Sequence, residues 1–425
     1  PVNIVWSLTK IKILGVYIGH GDLAEANWRL RVDTVDRCLK SWRSRSLSYS
    51  GKALVANSLV LSRVWYVASL VHMPAWVSAE LKKLLLNFFW SGKRDLVARK
   101  VLIHPKESGG FSVVSIDFKV AALLIQWVCR LVVCPNGWVY LLTYWLLDRH
   151  GVTPFAFFSD PSSFPNAPFP PFYSDLFQAW RAVKGGASPS GLILGSLGSN
   201  ACPVDSISCK SAYSYLLSLN PATPHCISEF FPPFGRLDWS STWQTIFLLP
   251  LDQRVSDLSW LIAHGVLYTA ARLAFSGYSL PTSCFCGYQS ECLEHLFFAC
   301  PLVQSGYAWI GTKLSQASPL APSIDVRHAL FRFPRDEMRC VPRVFAYLLN
   351  VCKYLVWVQW NDFRFLSVPP SPARLVAAIK ARLRFYLPLF FKRSLSHRRR
   401  LFFVHQWAGN GIFGSISGPS FVCSV

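Results

Sequence analysis

The stretch from Ser283 to Pro301, SCFCGYQSECLEHLFFACP, holds four side chains that can bind a metal, in the order Cys, Cys, His, Cys. One residue separates the first two cysteines, eight residues precede the histidine, and four more precede the last cysteine. Two thiolates from a tight turn, followed by a His and a Cys from a short helix, complete a closed tetrahedral zinc site. A closed site is structural, so the spacing predicts a structural zinc bound by Cys284, Cys286, His295 and Cys300.

Chance clustering is the alternative interpretation, because the chain has 13 cysteines and several lie in apolar stretches. A free thiol in such a stretch behaves as a small hydrophobic residue. A glycine directly after the Cys-x-Cys turn and the apolar run Leu296 to Phe298 favour zinc. Cys292 lies one helical turn before His295, so it is a possible alternative ligand.

Four motifs surround this cluster between Trp243 and Trp309: W-x2-IF, SWLIAHGVLYTAARL, the Cys/His segment itself and CPLVQSGYAW. Together they resemble the zinc-binding domain that follows the reverse transcriptase in LINE-type, non-LTR retrotransposons. The resemblance implies the same four ligands, with Glu291 as the acidic residue before the helix. The chain departs from the family pattern twice: one residue instead of two separates the first cysteines, and Cys292 occupies a Ser/Thr position.

The N-terminal third carries a second set of motifs in family order: IKILGVYIG, NWRLRVDTVDRCLKSWRSRSLSYSGKALVANSLVLSRVWYVASLVHMP, LLNFFWSGK and LIHPKESGGFSVVSI. They are similar to the segment that follows the palm in the same polymerases and continues into the thumb. Ile11 to Gly19 is rich in Ile, Val and Tyr and predicts a buried strand. With Trp6 and Leu8 it is interpreted as the remnant of a palm hairpin.

A helix is predicted where Trp28, Val32, Val35, Leu39 and Trp42 recur at intervals of four and three residues. This spacing is typical of one buried helical stripe. Basic residues beside the stripe would face solvent or a nucleic-acid duplex. Those predicted to contact nucleic acid are Arg29, Arg37, Lys40 and Arg43.

Two further helices are predicted to follow. Ser50 can cap a helix that extends to about His72 and is terminated by Pro74, and a third helix should run from Val77 to Trp90. Three amphipathic helices with short connections predict a helical bundle. The resemblance implies that this bundle is the thumb, which grips the template–primer minor groove.

Residues 135–240 are dense in Pro, Phe and Ser, as in TPFAFFSDPSSFPNAPFPPFYSD. Proline interrupts both helices and strands, so this segment predicts a connector with a few docked aromatic residues. Short helices are expected near residues 174–183 and 211–217.

Beyond the cluster, Val344 to Phe365 predicts a long apolar helix. It is similar to a helix downstream of the family's zinc domain. Lys353, Trp357 and Asn361 match that helix, whereas Trp360 stands where Arg is usual.

A polybasic run follows this helix. Aromatic residues interleaved with it would stack on bases while the cations track a nucleic-acid backbone; they are Phe385, Tyr386, Phe390 and Phe391. A solvated surface and a nuclear-localisation signal are the alternatives. The basic residues predicted to bind nucleic acid are Lys380, Arg382, Arg384, Lys392, Arg393, Arg398, Arg399 and Arg400.

The charge balance points to a phosphate-bearing partner, since 43 Lys and Arg stand against 22 Asp and Glu and give a net charge of +21. A polymerase palm needs paired aspartates to hold two Mg2+ ions. None of the fifteen Asp residues is adjacent to another, and no Y/F-x-D-D turn occurs. We therefore expect no enzymatic activity. The chain begins with Pro1, and we expect it to be the C-terminal portion of a larger polyprotein.

The predicted fold is mainly α, with a short N-terminal β remnant, a thumb-like helical bundle, a small zinc-binding unit and a basic helical tail. Its predicted parts are 1–20 (palm strand remnant), 21–134 (thumb-like region), 135–240 (connector), 241–315 (zinc-binding domain) and 316–425 (basic region).

The predicted role is to hold template RNA and target DNA during target-primed reverse transcription, with the rest of the polyprotein acting in cis or in trans. We expect the chain in the cytoplasm and nucleus. One alternative is an inactive remnant that keeps only its structural zinc. The other is a basic membrane-associated protein, suggested by a mean hydropathy of +0.30 but disfavoured by charges inside the longest apolar stretches.

Overall fold

The computed structural model describes residues 10–19, 21–133, 137–159, 169–187, 193–197, 201–230, 237–248, 252–277, 281–331, 333–334, 336–392 and 397–425. Within these ranges the chain is mainly helical, which confirms the predicted fold class. It divides into two compact units, residues 1–95 with 111–222 and residues 96–110 with 223–425. The five-part division made from the sequence stays a prediction. In the described ranges, no helix combines the length and the apolarity needed to cross a membrane.

The first unit contains a hairpin, a series of helices and a small three-stranded antiparallel sheet. Its elements are β1 (Lys10–Ile13), β2 (Val16–Gly19), α1 (Ala24–Arg43), α2 (Tyr49–Val55), α3 (Ser62–Ala68), α4 (Ala75–Phe89), α6 (Ile116–Val133), α7 (Gly137–His150), α8 (Pro154–Ser159), α9 (Pro171–Arg181), β3 (Lys184–Ala187), β4 (Ile193–Ser196), β5 (Ala201–Pro203) and α10 (Cys209–Ser218).

The second unit is built around long helices, and it ends in a hairpin. Its elements are α5 (Arg99–Leu102), α11 (Trp239–Leu248), α12 (Gln253–Ala263), α13 (Ala270–Phe275), α14 (Pro301–Ala317), α15 (Val326–Leu330), α16 (Arg343–Leu366), α17 (Pro372–Lys392), α18 (His397–Gln406), β6 (Gly414–Ser417) and β7 (Ser420–Cys423).

The apolar stripe predicted on the first helix is present in α1. Trp28, Val32, Val35 and Leu39 are buried, and the indole of Trp28 donates a hydrogen bond of 2.8 Å to the carbonyl of His72. Burying a stripe of this spacing leaves the opposite face of the helix in solvent.

The second predicted helix begins earlier than expected. Its cap is Ser48 and not Ser50, because the Ser48 hydroxyl accepts a hydrogen bond of 3.0 Å from the backbone N–H of Gly51. A single π-helical turn at Ala56–Val60 joins α2 to α3, which ends at Ala68 instead of near His72. The third predicted helix corresponds to α4, which begins directly after Pro74.

The predicted buried strand is wrong in two respects. Residues 10–19 form a two-stranded antiparallel hairpin that turns at Leu14 and Gly15, both of which have positive φ. Its first strand is exposed along its whole length, and the side chain of Ile11 is 49% exposed. Trp6 and Leu8, which were assigned to the same hairpin, lie outside the described residues.

Residues 135–240 contain more helix than a connector requires. The two expected short helices are present as α9 and α10, and α7 and α8 precede them. Pro154 and Pro171 are the first residues of α8 and α9. Proline fits this position because its missing N–H would have no partner there. A buried cluster that includes Phe158 and Trp180 packs these helices together.

The long helix predicted from Val344 to Phe365 is α16, Arg343–Leu366. Its buried face includes Lys353, which is only 1% exposed and donates a hydrogen bond of 3.2 Å to the carbonyl of Leu330. Burial disfavours the charged amine and lowers the pKa of Lys353 to about 7.

This lysine should make the second unit more stable at alkaline pH. Between about pH 7 and pH 10 an unfolded lysine holds a proton that the buried amine has released, so stability rises with pH. We expect Lys353 to raise the free energy of unfolding, measured with denaturant, by about 2 kcal/mol between pH 7 and pH 9. Replacing Lys353→Met should remove this part of the pH dependence, and an unchanged pH dependence in the variant would contradict the assignment.

Candidate metal centre and basic surfaces

The first two cysteines lie in a tight turn. The N–H of Cys284 donates to the carbonyl of Tyr288 at 2.7 Å, and the N–H of Gly287 donates to the carbonyl of Cys284 at 3.0 Å. Gly287 has φ +91°, a left-handed conformation that favours glycine. This turn brings the thiols of Cys284 and Cys286 to the same side with only Phe285 between them.

The other two candidate ligands lie on one short helical segment. His295–Ala299 forms a π-helical turn, in which the N–H of Cys300 donates to the carbonyl of His295 at 2.8 Å. Leu296 and Phe297 within this turn are fully buried. Their burial fixes the segment against the core, so His295 and Cys300 both face the cysteine turn.

The four side chains converge on a single point. One ligand atom from each residue lies within 4.8 Å of all the others. The sulfurs of Cys284 and Cys300 are 3.9 Å apart, and the sulfur of Cys286 is 3.2 Å from Nε2 of His295. Two donors on one tetrahedral zinc are separated by roughly 3.5–3.8 Å. The arrangement therefore fits a zinc ion with all four positions filled by the protein.

Two of the clustered ligands have shifted pKa values. The hydrogen bond with Cys300 and burial both raise the pKa of Cys284. Burial lowers the pKa of His295, and the carboxylate of Glu291 partly opposes this shift. Zinc binds thiolates and neutral imidazole, so loading the site must release protons from the thiols. The Tyr288 ring stacks on His295 at 4.2 Å and covers one face of the imidazole.

Cys292 has a different role from the four clustered residues. It is not in the group of side chains whose ligand atoms converge. Its sulfur instead accepts a hydrogen bond of 3.4 Å from the backbone N–H of His295. That contact is the one a Ser or Thr hydroxyl makes when it caps a helix. Cys292 therefore caps the short helical segment that carries His295.

Glu291 connects the cluster to the rest of the second unit. It is fully buried, and its carboxylate accepts hydrogen bonds from the indole of Trp360 at 2.7 Å and the N–H of Ala270 at 2.9 Å. Arg364 forms an ion pair with the same carboxylate at 3.4 Å. Sequence reasoning did not identify Arg364, because 73 residues separate it from Glu291 and no local pattern links them.

The predicted nucleic-acid residues of α1 are all exposed on its solvent face. Arg29 pairs with Glu25 at 2.5 Å, and Lys40 pairs with Asp36 at 2.6 Å. Exposed pairs of this kind are screened by water and weak, so a phosphate can compete for the cations. Basic residues are concentrated towards the end of the helix, from Arg37 to Arg45.

The predicted basic residues of the C-terminal region divide into two groups. Arg382 pairs with Asp252, and Arg384 donates to the carbonyl of Val425 at 2.6 Å. Lys380 and Arg400 are half-buried, each with its cation over an aromatic ring. The exposed members are Arg384, Lys392, Arg398 and Arg399, and Arg393 lies outside the described residues.

The interleaved aromatic rings pack mainly inward, contrary to the stacking role predicted for them. Phe391 is 4% exposed, and Phe390 packs against Trp407 at a ring separation of 4.9 Å. The hydroxyl of Tyr386 bonds to Asp252. Only Phe385, at 63% exposure, remains available as a stacking surface among these four described rings.

Comparison with known proteins agrees with this geometry. Residues 208–307 match the family described as zinc-binding in reverse transcriptase. This region of the chain is related to reverse transcriptases of retrotransposons. All four clustered ligands lie inside the match, which begins ahead of the predicted boundary at residue 241.

A transposon protein shows a second similarity. Over 191 aligned residues the chain is 28% identical to the Transposon TX1 uncharacterized 149 kDa protein of Xenopus laevis. The alignment covers 43% of this chain and 14% of that protein, so the chain corresponds to a small part of its relative. The predicted resemblance to a retrotransposon reverse transcriptase is thereby confirmed, and so is its zinc-binding character.

Metal analysis of cysteine variants checks the ligand assignment. We expect one zinc per chain in the wild-type protein and a clear loss of zinc in Cys300→Ser, because the variant lacks one of the four convergent donors. The matched control is Cys292→Ser, which replaces a capping thiol with a capping hydroxyl and should keep the metal. Equal zinc content in Cys300→Ser and the wild type, or loss in Cys292→Ser, would contradict the geometry.

Proposed function

We propose that the chain is a non-catalytic, nucleic-acid-binding C-terminal portion of a retrotransposon reverse transcriptase. It would hold template RNA and target DNA during target-primed reverse transcription, with the remainder of the polyprotein acting in cis or in trans. A structural zinc bound by Cys284, Cys286, His295 and Cys300 would organise its second unit. The observation that carries this proposal is the convergence of those four donors within the matched region.

The distribution of charge supports a nucleic-acid partner. Residues 363–425 contain ten Lys and Arg and no Asp or Glu. Such a segment attracts phosphate and releases counterions when it binds. Lys392 at the end of α17 and Arg398 in α18 are both exposed, so they are the strongest candidates for phosphate contact in this unit.

The first unit offers the second candidate surface, the basic end of α1. Arg37 and Arg43 are exposed there, and the resemblance to a thumb implies a duplex as the partner. The surface pairs on α1 are weak enough for phosphates to displace them. Template and target could therefore be held by different units of one chain.

The proposal also holds that this portion of the protein does not catalyse polymerisation. Two-metal polymerisation requires carboxylates that share a pair of Mg2+ ions. The fifteen Asp and seven Glu of the chain form no such motif. We further propose a cytoplasmic and nuclear location, because target DNA is nuclear and the cysteines include no disulfide among the described residues.

Binding to labelled RNA over a range of salt concentrations tests the proposal. We expect log Kd to change steeply with log salt in the wild type, and the slope to fall by about 1.4 to 1.8 in Lys392→Ala/Arg398→Ala, since two phosphate contacts are lost. The control Arg254→Ala/Arg339→Ala removes the same charge from two other exposed residues of the second unit. Its slope should remain close to that of the wild type.

Two outcomes of this titration would count against the proposal. Salt-independent or undetectable binding by the wild type would favour the alternative, an inactive remnant that keeps only its zinc. Equal losses in the two double variants would mean that net charge alone drives binding and that α17 and α18 form no specific surface.

A primer-extension assay tests the catalytic part separately. We expect the purified full-length chain, supplied with primer, template, Mg2+ and nucleotides, to give no extension product, because it lacks the aspartate motif of a palm. Robust extension that disappears on chelation of Mg2+ would show an active centre and would overturn the assignment.

A further inference from the structure

The carboxylate of Glu291 lies at a junction of three segments. It is 0% exposed, and it belongs to the loop that carries the cysteine turn. One donor comes from Ala270 at the start of α13, and two come from Trp360 and Arg364 on α16. Burying a carboxylate without hydrogen-bond partners costs free energy, so the folded state requires these donors.

Arg364 contacts the same loop at its other end. Its guanidinium, 6% exposed, donates to the carbonyl of Pro281 at 3.3 Å and also to the carbonyl of Ser283. Ser283 directly precedes the first candidate ligand, Cys284. A single arginine therefore holds the entry to the cysteine turn and the carboxylate that precedes the histidine helix.

Aromatic contacts reinforce this attachment. The ring of Phe285, which lies between the two cysteines of the turn, packs edge-on against Phe363 at 5.9 Å. Trp360 stacks on Trp357 at 4.6 Å, which fixes its indole towards the loop. The last two turns of α16 thus present three residues to the candidate metal centre: Trp360, Phe363 and Arg364.

We propose that Glu291, Trp360 and Arg364 form a clamp that positions the metal ligands and couples zinc binding to the docking of α16. The clamp brings the cysteine turn and the His295 helix to the separation that one ion requires, although none of its members is a ligand. Preorganised ligands lose less conformational freedom on binding, so the clamp raises zinc affinity.

The coupling must act in both directions. If α16 docking raises the affinity for zinc, then zinc binding must stabilise α16 docking by the same factor. The inference rests on the proposed metal site, since a clamp has no measurable effect on affinity if the four residues do not bind zinc. It goes beyond that site because it assigns a metal-dependent role to Trp360 and Arg364, which lie 60 to 80 positions away from the ligands.

Competition with a chromophoric zinc chelator on the full chain tests the clamp. We expect Trp360→Phe, which removes one N–H donor, and Arg364→Met, which removes the cation, to weaken zinc binding by about 10- to 100-fold. The matched control is Arg374→Met. Arg374 bonds to Gln359 and Pro369 instead of the loop, so its replacement should leave the affinity within about two-fold of the wild type.

A second readout separates positioning from general destabilisation. Removing zinc from the wild type should increase amide hydrogen exchange in residues 357–366 more than in residues 398–406 of α18. In Trp360→Phe, circular dichroism should show a folded protein at the temperature of the affinity measurement, so that weaker binding is not a consequence of unfolding.

The outcomes distinguish this inference from the proposed function. If the wild-type chain binds no zinc, both the metal site and the clamp are contradicted. A wild-type chain that binds zinc, with clamp variants that bind it equally tightly, overturns the clamp alone. Zinc removal that leaves exchange in residues 357–366 unchanged also overturns it, whatever the affinities are.

Discussion

The second unit depends on a carboxylate that has no access to water. Hydrophobic burial alone specifies a compact state but tolerates many packings, whereas a buried charge is stable only where its partners are placed correctly. The side chain of Glu291 obtains those partners from α13 and α16, which are distant in sequence. The four clustered donors impose a similar demand, since one ion can bind them only at fixed separations. Both constraints act on the same short loop.

Local patterns predicted the parts of this unit that local forces determine. The spacing of Cys284, Cys286, His295 and Cys300 predicts that their donors converge, because the turn and the helical segment that carry them are each only a few residues long. The sequence alone leaves the role of Cys292 open, because a capping thiol and a metal-binding thiol look alike in sequence. The hydrogen bond that distinguishes them depends on the entry angle of the helix.

Errors elsewhere have identifiable physical causes. Prolines in residues 135–240 predict breaks in helices and strands, but Pro154 and Pro171 begin helices, and Phe157 and Phe158 belong to a buried cluster. The interleaving of aromatic and basic residues in the C-terminal run predicts that the rings are stacking surfaces. Leu383, Leu387 and Phe391 recur at intervals of four on α17, and this stripe already indicated that Phe391 faces the core. Phe391 is buried by residues from other elements, Phe403 and Phe421, which the sequence of α17 alone does not identify.

The acid-free segment 363–425 shows how the basic region is attached to the rest of the unit. Its ion pairs in the described residues use carboxylates from outside the segment: Arg382 pairs with Asp252, and Arg364 pairs with Glu291. Glu291 attaches the end of α16 to the loop of the candidate metal centre, and Asp252 attaches α17 to the start of α12. The exposed cations of α17 and α18 gain no acidic neighbour from their own segment, and their mutual repulsion opposes compaction. A bound polyanion would relieve that repulsion, which is the physical reason for the nucleic-acid partner that we propose.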